Sequence, residues 1–266
     1  MIKQIKNCLL LVLSISLMFC GCGRKTTDSI TVAGSTAFQP FAEKLAEQFM
    51  EKRSDIRIAV QGGGSALGIE SVRSGATQLG MADLVVLPPE ARELASVIVA
   101  RDSIAVVVHP ENKVTSLSTA QIRQILNGSI KNWKEAGGND HPVRVVSRES
   151  GSGTRSSFEQ IIGDVNLLTD AIIQNSSGTV RETVANDKDT IGYLSHGVLN
   201  QKVKVVQVDG VDCTKEEIVA GRYKLVRPVY FLTKGEQSGA MKAFIEYVLS
   251  PEGQDTIKKN GLLPVK

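Results

Sequence analysis

An α/β chain of two lobes, each built on a mixed or parallel sheet, is what the sequence predicts, from three observations. Short apolar or β-branched runs alternate with segments in which apolar residues recur every three or four positions, the pattern of strands alternating with helices. About 245 residues remain once an export segment at the N-terminus is set aside, enough for two small lobes with separate cores. Three of the strand-to-helix turns combine glycine with hydroxyl residues: Gly34-Ser35-Thr36-Ala37, Gly62-Gly63-Gly64-Ser65 and Gly151-Ser152-Gly153-Thr154.

Taken in order, the run 29–33 is expected to be a strand. Phe38, Phe41, Leu45 and Phe49 then recur at helical spacing, with Ser35 and Thr36 where an N-cap belongs and Pro40 in the first turn. Alternation over 56–61 predicts a second strand, and Ile69 and Val72 a helix that closes at Gly75. Residues 79–86 are expected as a short buried strand ending before Pro88-Pro89, and the β-branched run 104–108 as a central strand leaving the first lobe. A helix over 118–126 capped by Ser118 or Thr119 follows, then the turn Gly137-Gly138-Asn139, a strand at 143–147 and helices near 156–162 and 165–174. Strands at 191–194, 203–208 and 226–232, the last returning to the first lobe, precede helices at 239–249 and 252–259.

The N-terminus carries Lys3 and Lys6 and then an apolar run over 8–20. Thirteen residues are too few to span a bilayer as a permanent helix and match the core of a signal peptide, residues 1–21. The chain is therefore expected to be exported. Gly21 before Cys22 resembles the lipobox of bacterial lipoproteins, although Phe19 stands where leucine is commonest. Cys22 is the expected lipidation site, and each acyl methylene contributes roughly 0.8 kcal/mol of membrane anchoring; the alternative is a soluble secreted chain cut after Gly21 or Gly23. Loss of residues 1–21 lowers the net charge from +3 to +1, with 29 basic and 28 acidic residues left. Such a balance provides no broad basic face for nucleic acid. With Cys8 and Cys20 removed and Cys22 lipidated, Cys213 has no partner and no disulfide framework is expected.

A strand turning through Gly-Ser-Gly-Thr into a helix leaves backbone N–H groups pointing out of the helix N-terminus, here with two hydroxyls and Arg148 beside them. One such turn is ordinarily just a turn, but three of one kind point to a cradle for a tetrahedral oxyanion. No G-x-x-x-x-G-K-[ST] occurs, and Gly62-x-Gly64-x-x reaches Leu67 instead of glycine, so the anion is not expected to be part of a nucleotide.

In order and spacing, these turns, with Gln61 ahead of the second, Gly80-Met81-Ala82-Asp83 and Arg148-Glu149-Ser150, resemble the phosphate-binding subunit of bacterial phosphate ABC importers, the PstS family. Supporting stretches are 105–110, Asn127-Gly128, Asn132-Trp133, Ile191-Gly192-Tyr193, Arg227-Pro228-Val229-Tyr230 and 250–254, so the resemblance covers essentially the whole mature chain. It implies a periplasmic-binding-protein type II fold, with lobe one about 28–107 plus 229–266, lobe two about 108–228 and phosphate in the cleft between them. No metal or other cofactor is implied. The implied partners are inorganic phosphate and an ABC permease with its ATPase subunits, and the implied setting is a monomer in the periplasm or lipid-anchored to the outer face of the cell membrane.

The resemblance also assigns the site: Ser35, Thr36 and Ala37 at the first helix N-terminus, Ser65 in the second turn, Asp83 as a buried carboxylate, Arg148 as the charged donor, and Ser152, Gly153 and Thr154 in the far-lobe turn. The chemistry agrees, since hydroxyls donate or accept and a guanidinium offers two parallel donors. Phosphate at neutral pH still carries a proton to give to a carboxylate, whereas sulfate has none, so Asp83 is expected to exclude sulfate. One departure concerns Ser150, where some family members place the acidic residue that orients the arginine; here only Glu149 is at hand.

The plainer readings are a strand-end Asp83 capping a turn, an Arg148 in a surface or interlobe salt bridge, and a solvated Arg155 outside the site. Rival functions are a site for sulfate, molybdate or tungstate, a phosphate-sensing or adhesive surface protein, and a hydrolase using Ser152 or Ser65 with His109, His141 or His196. The last lacks G-x-S-x-G, because position 150 is Ser and position 154 is Thr.

Overall fold

In the computed structural model, which describes residues 28–163, 165–237 and 239–265, the chain enters through β1 (Asp28–Gly34), passes α1 (Gln39–Lys52) and returns in β2 (Ile56–Gln61). The expected signal peptide and Cys22 lie outside the described residues. After α2 (Ser65–Ser74) comes β3 (Leu79–Ala82), and then the long β4 (Ala95–Val108). The next elements are β5 (Ser116–Leu117), α3 (Thr119–Leu126), β6 (Arg144–Arg148), α4 (Gly153–Ile162), β7 (Ile172–Gln174) and α5 (Ser177–Asn186). The chain closes with β8 (Thr190–Ser195), β9 (Lys204–Val208), α6 (Lys215–Val219), β10 (Val226–Thr233), α7 (Gly239–Val248) and α8 (Pro251–Lys259).

β4 joins the two halves. Its first part pairs antiparallel with β10 through Ser103, beside β3, β1 and β2, in the order β2-β1-β3-β10-β4. From Ile104 onward it pairs antiparallel with β8 on one side, and from Val106 also with β9. β8 continues parallel to β6 and β6 to β7. Each half is therefore a mixed sheet. One apolar core gathers Val32, Phe38, Leu45, Phe49, Met81, Phe231, Phe244 and Ile257; the other gathers Ile104 to Val108, Trp133, Val146, Phe158, Val180 and Leu194. Their separation follows from the strand itself: the unbroken apolar run after Ser103 is buried on both faces, as a central strand requires.

Most elements lie where periodicity predicts. Gly75 ends α2 in the left-handed region at φ 79°, and Ser118 caps α3 in a reciprocal box with Gln121. Three expectations are corrected. β4 begins at Ala95, nine residues before the β-branched run, because its first part is an exposed-and-buried strand of the first sheet. β3 ends at Ala82, so Asp83 leaves the sheet instead of continuing it. No helix spans 165–174. That stretch is irregular until Ile172–Gln174 adds to the sheet beside β6, and the helix comes later as α5, opened by a capping box between Ser176 and Thr179. Its apolar residues Val165, Leu167 and Leu168 pack on the second core from a loop, which imitates helical spacing.

Cys213 is a buried free thiol, 3.6 Å from Ser103 Oγ and pushed up to about 11 by burial. Among the described residues no helix is long and apolar enough to cross a membrane.

Candidate functional site

The three glycine-hydroxyl turns converge. Ser35 N–H is held by Met81 O at 3.0 Å, and the Ser35 hydroxyl accepts the Phe38 N–H at 3.1 Å, so the cap precedes α1 by a full turn. The N–H groups of Thr36 and Ala37 in that turn belong to the set that a helix start leaves without an internal partner. Thr36 is half-buried and Ala37 buried. Opposite them α4 begins at Gly153 and Thr154, and Ser152 Oγ accepts the Arg155 N–H at 3.3 Å. The two halves meet directly: Ala66 N–H donates to Gly151 O at 3.1 Å, and the Ser157 hydroxyl donates to Asp83 O at 3.0 Å.

Asp83 is 1% exposed and surrounded by donors. Ser65 Oγ donates to Oδ1 at 2.5 Å and accepts the Asp83 N–H at 3.1 Å. Thr154 Oγ1, from the other half, reaches Oδ2 at 3.3 Å. Arg227 Nη2 lies 2.6 Å from the same oxygen. The carboxylate is thus gripped by hydroxyls and a cation and caps no turn. Ser65 spends its proton on Asp83, and the Ala66 N–H beside it is spent on Gly151 O.

Arg148 ends β6 and is 1% exposed. Its Nε and Nη2 donate to Glu149 Oε2 and Oε1 at 2.9 and 2.8 Å, a bidentate pair between chain neighbours. Carbonyls of Gln174 and Asn175 accept at 3.2 and 3.4 Å, and Ser177 Oγ lies 3.3 Å from Nη1. Nη2 also reaches Thr36 Oγ1 across the halves at 3.1 Å. With the Nε side committed to Glu149, the Nη1–Nη2 edge is the one that can meet a ligand. Arg155 pairs with Glu159 at 2.8 Å and with the Arg148 carbonyl at 2.9 Å, and so braces the turn from outside.

The chain matches the model of the PBP superfamily domain over residues 23–252. It is 36% identical over 246 residues to the phosphate-binding protein PstS of Bacillus subtilis (strain 168), covering 91% of this chain and 82% of that one. The chain belongs to the PstS family. Among solved structures it is similar to one from Clostridium perfringens, described as a candidate phosphate ABC transporter substrate-binding protein with bound phosphate, with TM-score 0.87 and 39% identity over 90% of this chain and 100% of that one. An ABC-type phosphate transport receptor from Vibrio cholerae follows at TM-score 0.75 and 31% identity, covering 89% and 100%. The architecture is accordingly the two-lobed periplasmic-binding-protein fold, and the PstS family is one of substrate-binding proteins, not enzymes.

Against the pattern of the PstS family, the departure at Ser150 has a structural answer, since Glu149 supplies the carboxylate that orients Arg148. The histidines are placed elsewhere: His109 Nδ1 accepts the Glu111 N–H, His141 lies 3.4 Å from Asp189 Oδ1, and His196 lies 3.3 Å from Gly261 O. Five participants escaped sequence reasoning. Gln174, Asn175 and Ser177 were hidden by the expected helix over 165–174, although Ser176 and Thr179 carry a capping signal. Arg227 is the one charge of the otherwise apolar β10, and Asp102 follows the exposed Arg101 in β4 just before its unbroken apolar run; a charge set in such a run calls for a buried partner.

Proposed function

We propose that the protein is an extracytoplasmic phosphate-binding protein that takes up inorganic phosphate between its lobes and delivers it to an ABC permease. The observation that carries this reading is the pairing of opposite chemistries across one cleft. Arg148 and the first-turn amides of α1 and α4 supply donors to an anion, and Asp83 supplies an acceptor for the proton that phosphate keeps at neutral pH. The bound phosphate and the transport roles named for the Clostridium perfringens and Vibrio cholerae proteins support the same reading.

In this reading Ser35, Thr36, Ala37 and Ser65 act from lobe one with Asp83, and Arg148, Ser152, Gly153 and Thr154 act from lobe two. The lobes part on β4 after Ser103, four residues before the expected boundary at 107, and move on the strands β4 and β10. Phosphate draws them together only as far as it binds the closed form more tightly. Cys22 carries the lipid anchor, the chain acts as a monomer, and the permease with its ATPase subunits receives the ligand. Sulfate, molybdate and tungstate lack a proton for Asp83. A melting-temperature panel with the four oxyanions tests this: phosphate alone should raise the midpoint, by an amount that grows with the logarithm of its concentration. Equal shifts with sulfate would reject it.

A further inference from the structure

Beneath the cleft, Asp83, Asp102 and Arg227 form a buried triad. Arg227 Nη2 lies 2.6 Å from Asp83 Oδ2 and 2.8 Å from Asp102 Oδ2, and the three side chains are no more than 2% exposed. Nη1 reaches the Asp83 carbonyl at 3.4 Å. Asp102 and Arg227 face each other across the antiparallel pair of β4 and β10. Two residues further on, β4 takes β8 as its partner, and Ser195 of β8 donates to the second Asp102 oxygen at 2.9 Å.

Two carboxylates therefore share one guanidinium at the place where the strands pass from one sheet to the other. Such a network is a poor source of stability, since well-packed apolar side chains of the same volume usually do as well. What it does provide is a fixed position and a fixed counter-charge for the carboxylate of Asp83, which leaves its own strand at Ala82 and has no ladder to hold it. A buried carboxylate without a cation takes up a proton, and a protonated carboxyl donates where the ionised one accepts. The position from which Asp83 meets the proton of an anion then depends on Arg227, whose Nη2 holds one of its two oxygens.

We propose that Arg227 is a positioning residue that sets the oxyanion selectivity of the site through Asp83, and that Asp102 tunes it by competing for the same Nη2. This rests on the reading of Asp83 as the acceptor of a phosphate proton. Lysine at 227 keeps the charge and loses the planar fork, so it cannot hold both carboxylates in the same geometry.

The test is a double-mutant cycle read as the ratio of phosphate to sulfate affinity, which a merely structural role would not move. Four proteins are titrated with each anion: the parent, Arg227→Lys, Asp83→Asn and the double variant. Arg227→Lys should change the ratio by about threefold or more in the parent and leave it unchanged in the Asp83→Asn background. If Arg227→Lys does not fold, Asp102→Asn is taken through the same cycle with the same expectation. A ratio that is unmoved in the parent background, or that moves equally in both backgrounds, overturns the proposal while leaving the phosphate reading intact. A ratio that Asp83→Asn alone does not alter overturns the acceptor reading itself, and the role of Arg227 with it.

Discussion

The guanidinium of Arg148 is held along its Nε–Nη2 edge by the carboxylate of the next residue, Glu149, at 2.9 and 2.8 Å. Neighbours on a strand point to opposite faces, so a bidentate pair between them requires the chain to turn between Arg148 and Glu149. It does so because β6 ends there and the 149–152 turn begins, with Ser152 N–H on Glu149 O at 3.1 Å.

Arg148→Ala should therefore weaken phosphate binding by about 2–5 kcal/mol, the scale for stripping one side of a buried charged contact. Glu149→Gln should lose less, about tenfold, because the amide keeps one acceptor and gives up the charge. Arg155→Ala should cost less than Arg148→Ala, since Arg155 braces the turn without facing the cleft. Calorimetric dissociation constants for the three variants check the order.

Gly153 is a point of close approach between the halves. A methyl group there would lie 2.1 Å from Ser65 Oγ, 2.4 Å from Asp83 Oδ1 and 2.8 Å from Asp83 O. The last contact is with backbone, which cannot swing aside. Gly153 opens α4 without a positive φ, so alanine suits the helix itself. Gly153→Ala should leave the melting midpoint of the anion-free protein within a few degrees and weaken phosphate binding about a hundredfold or more. Unchanged affinity would mean that the halves do not meet at this point when phosphate binds.

Asp83→Asn should weaken phosphate and strengthen sulfate relative to it. The parent ratio is expected to be large, because discrimination by an unpaired buried group reaches about 10⁴ to 10⁵. The amide can donate to either anion, so competition titrations should show the ratio falling by at least about tenfold.

The Asp102 carboxyl is raised above its ordinary value, chiefly by burial, with Arg227 opposing and Asp83 reinforcing the shift. A raised carboxyl contributes stability that is full below its unfolded value of about 4 and is lost as pH rises through the folded value. Replacing Asp102 with Asn should remove that decline: the difference in unfolding free energy between parent and variant, from urea titrations, should move in favour of the variant as pH rises from about 4. Arg227→Gln, which strands both carboxylates, should cost about 3–5 kcal/mol at neutral pH and more than Asp102→Asn. A pH-independent difference for Asp102→Asn would count against the shared triad.

The turns were legible because their chemistry is local. Gly34-Ser35-Thr36 and Gly151-Ser152-Gly153 each announce a helix start within a few residues, and Phe38, Phe41, Leu45 and Phe49 state the buried face of α1 by spacing alone. Glu149 was legible as the neighbour that orients Arg148, but the contacts of Arg148 with Gln174, Asn175 and Ser177 were not, since residues 165–174 carry apolar spacing that a loop on the second core satisfies as well as a helix does. Arg227 and Asp102 stand 125 positions apart in the chain and meet only through the pairing of β10 with β4. No local pattern carries that register, and a charge in an apolar strand says only that a partner exists.

The most direct test is calorimetric titration of the purified protein, unfolded and refolded to strip carried-over anion, with phosphate and then sulfate at neutral pH. Tight one-to-one binding of phosphate with no heat from sulfate is the result expected of a site in which Asp83 accepts the ligand's proton. Silence with both anions, or sulfate binding as tightly as phosphate, would contradict it.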